Sequence, residues 1–138
     1  MILGVGVDIV EIKRIKEALE NSSLFLDKLF NKEEIEYLKS RNLRPEYVAG
    51  RFAAKEAVAK ALGTGFRGFN FKDIVIDRNA LGKPLVVLKG KARTLTNKYV
   101  EYKFHLSISH EQENAIAYVI FEGEEKDESC NKTDNEEY

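Results

Sequence analysis

Residues 45–62 constrain the fold more than any other stretch, because they read as one long helix with a surface that another element can approach closely. Pro45 suits a first helical turn, where its missing N–H costs no hydrogen bond. Gly63, Gly65 and Gly68 follow at the other end and terminate the helix. Alanines at positions 49, 53, 54, 57, 59 and 61 leave little side-chain bulk, so a neighbouring strand is the simplest thing to pack there. On a helical wheel Val48, Phe52, Ala59 and Leu62 make one apolar face, with Lys55 inside it and Glu56 at its edge. A charge in such a place needs a partner or a ligand. Glu56 and Lys60 are four apart and share a side of the helix. From spacing alone, an ordinary exposed Glu-to-Lys pair is the simpler account of those two.

Around this helix the pattern is mixed. Residues 2–10 read as a strand, followed by an amphipathic helix with Ile12, Ile15 and Leu19 on its stripe. Asn31 and Glu34 have capping-box spacing and open a helix through Ile35 and Leu38 that ends near Arg41. Strands are predicted over 73–77, 85–88, 103–109 and 115–121, with a short helix over 91–98. Gly82 and Pro84 mark a turn, and residues 111–114 make a hairpin connection. No internal repeat or linker divides these elements, so a single domain is expected.

Charge separates the chain's end from its body. Residues 122–138 hold eight acidic and two basic side chains, a net of −6, so the first 121 residues carry +5 against the chain's −1. The tail has almost no apolar content to offset the entropy of ordering it and is expected to be disordered. The apolar start contains Asp8, lacks a basic leader and does not read as a signal peptide. No stretch has the roughly 18 apolar residues that a membrane helix needs. Cys130 is the sole cysteine, so no internal disulfide can form and a cytoplasmic location is expected.

Asp8 is an acid within an otherwise apolar strand, which suits either a metal-bound or paired carboxylate or a strand-ending cap. Gly4 and Gly6 invite a dinucleotide fingerprint, but Ile9 stands where its third glycine belongs and the glycines lie within the strand, so that reading fails. Strand alternation puts Phe104, Leu106, Ile108 and His110 on one face. A histidine ending an apolar row contacts a phosphate or, more simply, finishes a core edge. His105 has no assignment. Magnesium is usually held by one or two carboxylates plus substrate phosphates, so Asp8 and Glu56 would suffice for it. No Cys/His cluster has zinc spacing, and no Ser-His-Asp motif stands in a nucleophile context.

Four segments in order, GVGVDIVEIKRI, AGRFAAKEAVAKALGTG, GKP and LSISH, resemble the holo-acyl-carrier-protein synthase family over about residues 1–121. The helical segment is the most specific. The resemblance implies an α+β chain of the 4'-phosphopantetheinyl transferase fold, an antiparallel sheet packed against a long helix. It also implies transfer of the phosphopantetheine arm of coenzyme A to a serine of acyl carrier protein, within fatty acid biosynthesis. By matching positions, Asp8 and Glu56 would hold Mg2+ on the pyrophosphate. Lys60 would neutralise transition-state charge, and Glu56 would also orient a water that takes the serine proton. Arg51, Lys55, Lys60, Gly82, Pro84, Ser109 and His110 match positions that line the coenzyme A site. Family members of this short type form trimers with active sites at subunit boundaries.

Carrier proteins are acidic, so a basic docking face is expected. Arg14 lies opposite the apolar stripe of the first helix and matches the carrier-contacting arginine of the family, with Lys13 and Lys28 nearby. Two rivals compete. A magnesium-dependent nucleotide phosphohydrolase would use the same carboxylates and lysine. A nucleic-acid module would use the basic body, but neither an arginine-rich run nor aromatic and basic alternation supports it.

Overall fold

The structure, a computed structural model, describes residues 1–127. In chain order the elements are β1 (Ile2–Glu11), α1 (Ile12–Asn21), α2 (Phe25–Leu29), α3 (Lys32–Ser40) and α4 (Pro45–Leu62). A 3-10 turn (Phe71–Asp73), β2 (Ile74–Arg78), β3 (Pro84–Leu88), α5 (Gly90–Thr94), β4 (Tyr99–His110) and β5 (Asn114–Glu125) complete them. The expected α+β arrangement holds, with the strands divided. β1, β5 and β4 form one antiparallel sheet in that order, and β2 and β3 form a separate pair. Ile74, Ile76 and Leu88 of the pair join the core that α4 makes with the larger sheet.

The sheet lies so close to α4 that two positions on β1 admit no side chain. A Cβ at Gly4 would overlap the carbonyl oxygen of Ala61, and one at Gly6 that of Ala57. The alanines of α4 and the glycines of β1 are thus two halves of one close approach. Because the obstruction is backbone, no rotamer change relieves it. Gly6→Ala should cost about 3 kcal/mol or more of stability, read by urea unfolding. A cost below about 1 kcal/mol would show that the strand slides off the helix easily.

The wheel reading of α4 needs correcting. The helix is not one-sided: residues on every side of it are buried, from Val48 and Ala49 through Lys55 to Ala61, while Phe52 and Leu62 are only half-buried. The sheet covers one side, and α1, α2 and α3 gather Ile15, Phe30 and Leu38 against Val48 and Ala49 on another. Gly63 ends the helix in the left-handed conformation at φ 81°, its N–H bonded to the Lys60 carbonyl.

Other boundaries shift for local reasons. α2 was not foreseen, since five residues give little periodicity. The helix expected over 91–98 stops at Thr94, and turns through Thr96 and Asn97 lead into β4, which starts at Tyr99 rather than 103. β5 runs to Glu125, so residues 122–125 belong to the sheet and not to a disordered tail. Composition missed this because backbone pairing holds the segment. Glu122 pairs with both Ile2 and Lys103, and Met1 and Gly123 exchange two 3.0 Å hydrogen bonds. The tail expected from there on, including Cys130, lies outside the described residues beyond 127. Among the described residues, no helix is long and apolar enough to cross a membrane.

One face of the large sheet is left open. Val5, Val7 and Ile9 of β1 and Ile116 and Tyr118 of β5 point away from α4 and are exposed, with Val7 opposite Tyr118 and Ile9 opposite Ile116. Contiguous apolar surface of this kind marks an interaction face.

Candidate active site

Asp8 points toward α4, the opposite way from Val7 and Ile9, because strand neighbours alternate. Its carboxylate accepts a 3.0 Å hydrogen bond from the Lys60 ammonium, which also donates to the Val7 carbonyl at 2.9 Å. Glu56 lies one helical turn before Lys60. Its carboxyl pKa is raised, first by burial and then by the negative charge of Asp8, with Lys60 opposing. Two carboxylates and an ammonium thus meet where β1 crosses α4. A cleft of about 580 Å³ opens there, with Asp8 and Glu56 beside Phe52, Ile15, Phe25 and Arg14.

The residue pair fits magnesium better than any softer metal. Both donors are carboxylate oxygens, and the like-charge strain on Glu56 is what a bound cation relieves. No cluster of three metal-ligating side chains exists among the described residues, so the remaining positions around a cation would fall to water and substrate phosphate.

A second group of expected residues lines another cleft of about 450 Å³. Arg51, Gly82, Pro84 and His110 are there, joined by Tyr37, Tyr47 and Lys83, which sequence reasoning did not single out. His110 meets Tyr47 edge-on, with ring centres 6.1 Å apart. Ser109 faces the other side of the sheet, in a shallow recess with Ile9, Asn114 and His110. Gly82 adopts φ 86°, which favours glycine in the β2–β3 turn.

Lys55 departs from expectation. Its side chain has no exposed surface, and its ammonium pairs with Glu34 at 2.9 Å, donates to the Phe71 carbonyl at 3.0 Å and sits 4.9 Å from the Phe30 ring centre. Burial pulls its pKa down, with Glu34 opposing. Glu34 forms the expected capping box with Asn31 and also accepts from the Ile76 N–H at 3.0 Å. This pair ties α3, α4, β2 and the 3-10 turn together, and the structure brings Lys55 into neither cleft. The wheel signalled a buried charge; nothing in the spacing named Glu34 as its partner.

The docking residues are on the surface. β1 runs directly into α1, where the Ile12 N–H bonds the Glu113 carbonyl at 2.8 Å, and this places Arg14 at the edge of the carboxylate cleft. Arg14 meets Glu11 at 3.6 Å, both well exposed, a contact that contributes little. Lys13 on α1 and Lys28 on α2 are exposed as well.

With a long helix clamped on a three-stranded sheet and two acids beside a lysine at their crossing, comparison with known proteins is direct. The family model described as the 4'-phosphopantetheinyl transferase superfamily matches residues 4–120, and the chain belongs to this family. Within it, the similar curated proteins are holo-[acyl-carrier-protein] synthases. One from Clostridium kluyveri is 68% identical over 129 residues, covering 94% of this chain and 96% of the relative. Another from Clostridium novyi is 58% identical over 136 residues, covering 99% and 98%. Among solved structures, the Neisseria meningitidis synthase superposes with a TM-score of 0.79 at 36% identity, covering 88% of this chain and 99% of that one. The Bacillus anthracis synthase, solved in complex with CoA (3',5'-ADP), gives 0.74 at 37% identity, covering 89% and 98%.

Proposed function

We propose that this chain transfers the 4'-phosphopantetheine arm of coenzyme A to a serine of apo acyl carrier protein, giving holo carrier protein and adenosine 3',5'-bisphosphate. The observation that carries this reading is the pair of carboxylates, Asp8 and Glu56, at one cleft beside Arg14, with the Lys60 ammonium on Asp8. The serine hydroxyl attacks the phosphorus bearing the pantetheine arm, and the bond to the bisphosphate oxygen breaks. Asp8 and Glu56 would hold Mg2+, which would supply charge neutralisation at the pyrophosphate and polarise the phosphoryl oxygens. Glu56 takes the serine proton, directly or through an ordered water. Lys60 leaves Asp8 for the transferring phosphoryl group, where it offsets developing charge.

Arg51, Gly82, Pro84, Ser109 and His110 bind the adenylate end of coenzyme A, and Arg14, Lys13 and Lys28 receive the acidic carrier. The two clefts are separate within one chain, and the apolar face carrying Val5, Val7 and Ile9 is uncovered. A homotrimer joined through that face, with one subunit's carboxylate cleft completed by its neighbour's basic cleft, accounts for both. Val7→Lys should leave a monomer by sedimentation and reduce transfer by about a hundredfold, since a charge in such a face is poorly tolerated. A fully active, unchanged assembly would contradict the trimer face. The enzyme serves fatty acid biosynthesis in the cytoplasm.

Release of adenosine 3',5'-bisphosphate tests the reaction. It should require apo carrier protein; release at the same rate from coenzyme A alone would point to a nucleotide hydrolase instead.

A further inference from the structure

His105, which has no part in either cleft, stands with Glu122 on the open face of the large sheet. Its Nε2 lies 2.5 Å from a Glu122 carboxylate oxygen, and the two side chains are 43% and 44% exposed. Phe104 and Leu106 beside His105, and Phe121 beside Glu122, turn toward the core, so the pair points the other way. Strand pairing sets the open face out in rows across β1, β5 and β4. Val5, Ile120 and His105 share one row, and Ile2, Glu122 and Lys103 share the next. Ile120 therefore sits between Val5 and His105. A surface that covers the apolar β1 and β5 side of these rows also reaches the pair.

On a single subunit, open to water, such a pair contributes little. Closure of the face changes that. A carboxylate withdrawn from water needs a counter-charge, and the protonated form of His105 supplies one at hydrogen-bond distance. The other charges beside the pair are Lys103 and Glu101 on β4, Glu124 on β5 and the Met1 ammonium, which line one recess with Glu122. Val5 and Ile2, the row partners on β1, carry no charge. The Met1 ammonium already donates to the Gly123 carbonyl at 3.0 Å. The Glu122 carboxyl pKa is lowered, first by the hydrogen bond with His105, so this acid stays ionised where a histidine titrates. The variable charge within the pair is the proton on His105.

We propose that His105 and Glu122 form a pH-sensitive latch on the trimer face: assembly takes up a proton at His105 of each subunit, and the trimer loosens when that proton is lost. This rests on the homotrimer reading above. A histidine that holds its proton more tightly in the assembly than in the free subunit favours assembly at low pH. That contribution disappears as pH rises through the assembled value.

Sedimentation of the full-length protein over a dilution series, at about pH 5.5 and about pH 8, reads the latch on either side of histidine titration. In wild type the concentration at which the trimer dissociates should rise about tenfold or more with pH, as for weakening of a charge-assisted hydrogen bond. His105→Gln keeps an amide toward Glu122 without a titrating proton, so its dissociation should be the same at both pH values. Glu122→Gln removes the counter-charge, and a protonated His105 then opposes closure. This variant should assemble more tightly at the higher pH, the reverse of wild type. The Met1 amino group titrates in an overlapping range. A rise that persists undiminished in His105→Gln would belong to that group and overturn the latch. A wild-type trimer equally stable at both pH values would overturn the latch and leave the trimer face intact, a result that needs no variant to fold. Monomers at every pH and concentration would overturn the trimer reading and the latch with it.

Discussion

Glu56→Gln should abolish transfer, by about a thousandfold or more, while making the metal-free protein more stable at neutral pH. The loss follows from removing both a metal-holding oxygen and the proton acceptor, each of which commonly accounts for factors of a hundred to ten thousand, roughly. The gain follows from the raised pKa of Glu56. A carboxyl whose pKa is higher in the folded than in the unfolded state favours folding only while protonated. That contribution is complete below the unfolded value and disappears as pH rises through the folded one. Above the folded value the native state bears an ionised Glu56 near Asp8, half-buried, and the neutral amide removes the strain. The melting temperature of Glu56→Gln should exceed that of wild type at pH 7 and converge with it below the carboxylate range. Saturating Mg2+ with coenzyme A should reverse the order, because only the wild type gains from binding. A variant that is less stable than wild type at pH 7 without ligand would remove the electrostatic account of this position.

Lys55→Met should cost about 3 kcal/mol or more of stability, because it leaves a buried carboxylate with two N–H donors but no counter-charge. The companion change Glu34→Gln in the same chain should recover most of that loss, since replacing both partners leaves no isolated charge. A double-mutant cycle by urea unfolding measures the coupling. If the two losses simply add, the pair is not a coupled unit. Activity of the folded double variant separates the structural role from the coenzyme A contact expected at this position. Retained KM for coenzyme A is the expected result, given that the ammonium is sealed inside the fold.

These two neighbours on α4, Lys55 and Glu56, show what a sequence can and cannot reveal. Both stood out as charges out of keeping with an apolar helix. Helical spacing identified their directions but not their partners, since Glu34 is 21 residues away in sequence from Lys55 and Asp8 lies on another element. That a strand could approach α4 closely was legible in the alanines of the helix, whereas Gly4 and Gly6 had suggested only a nucleotide fingerprint, and their contact with the α4 backbone is visible only in the fold. The burial of α4 on every side was not, because a wheel describes one helix and says nothing of how many elements surround it. The capping box of Asn31 and Glu34 was legible as local chemistry, whereas the second task of Glu34 depends on tertiary contact. The convergence of Arg41, Arg51 and Arg78 on the ring of Tyr37 was not legible for the same reason. They come from α3, α4 and β2, and only the fold places them around one ring. The extension of β5 through Glu125 shows the limit of composition, which registers acidic side chains and misses backbone pairing.

The most direct measurement is the intact mass of apo acyl carrier protein after incubation with this enzyme, coenzyme A and Mg2+. Every carrier molecule should gain the mass of one phosphopantetheine on its serine, and none should do so with Glu56→Gln in place of the wild type. A carrier of unchanged mass, while coenzyme A is bound or broken down, would contradict the transferase assignment.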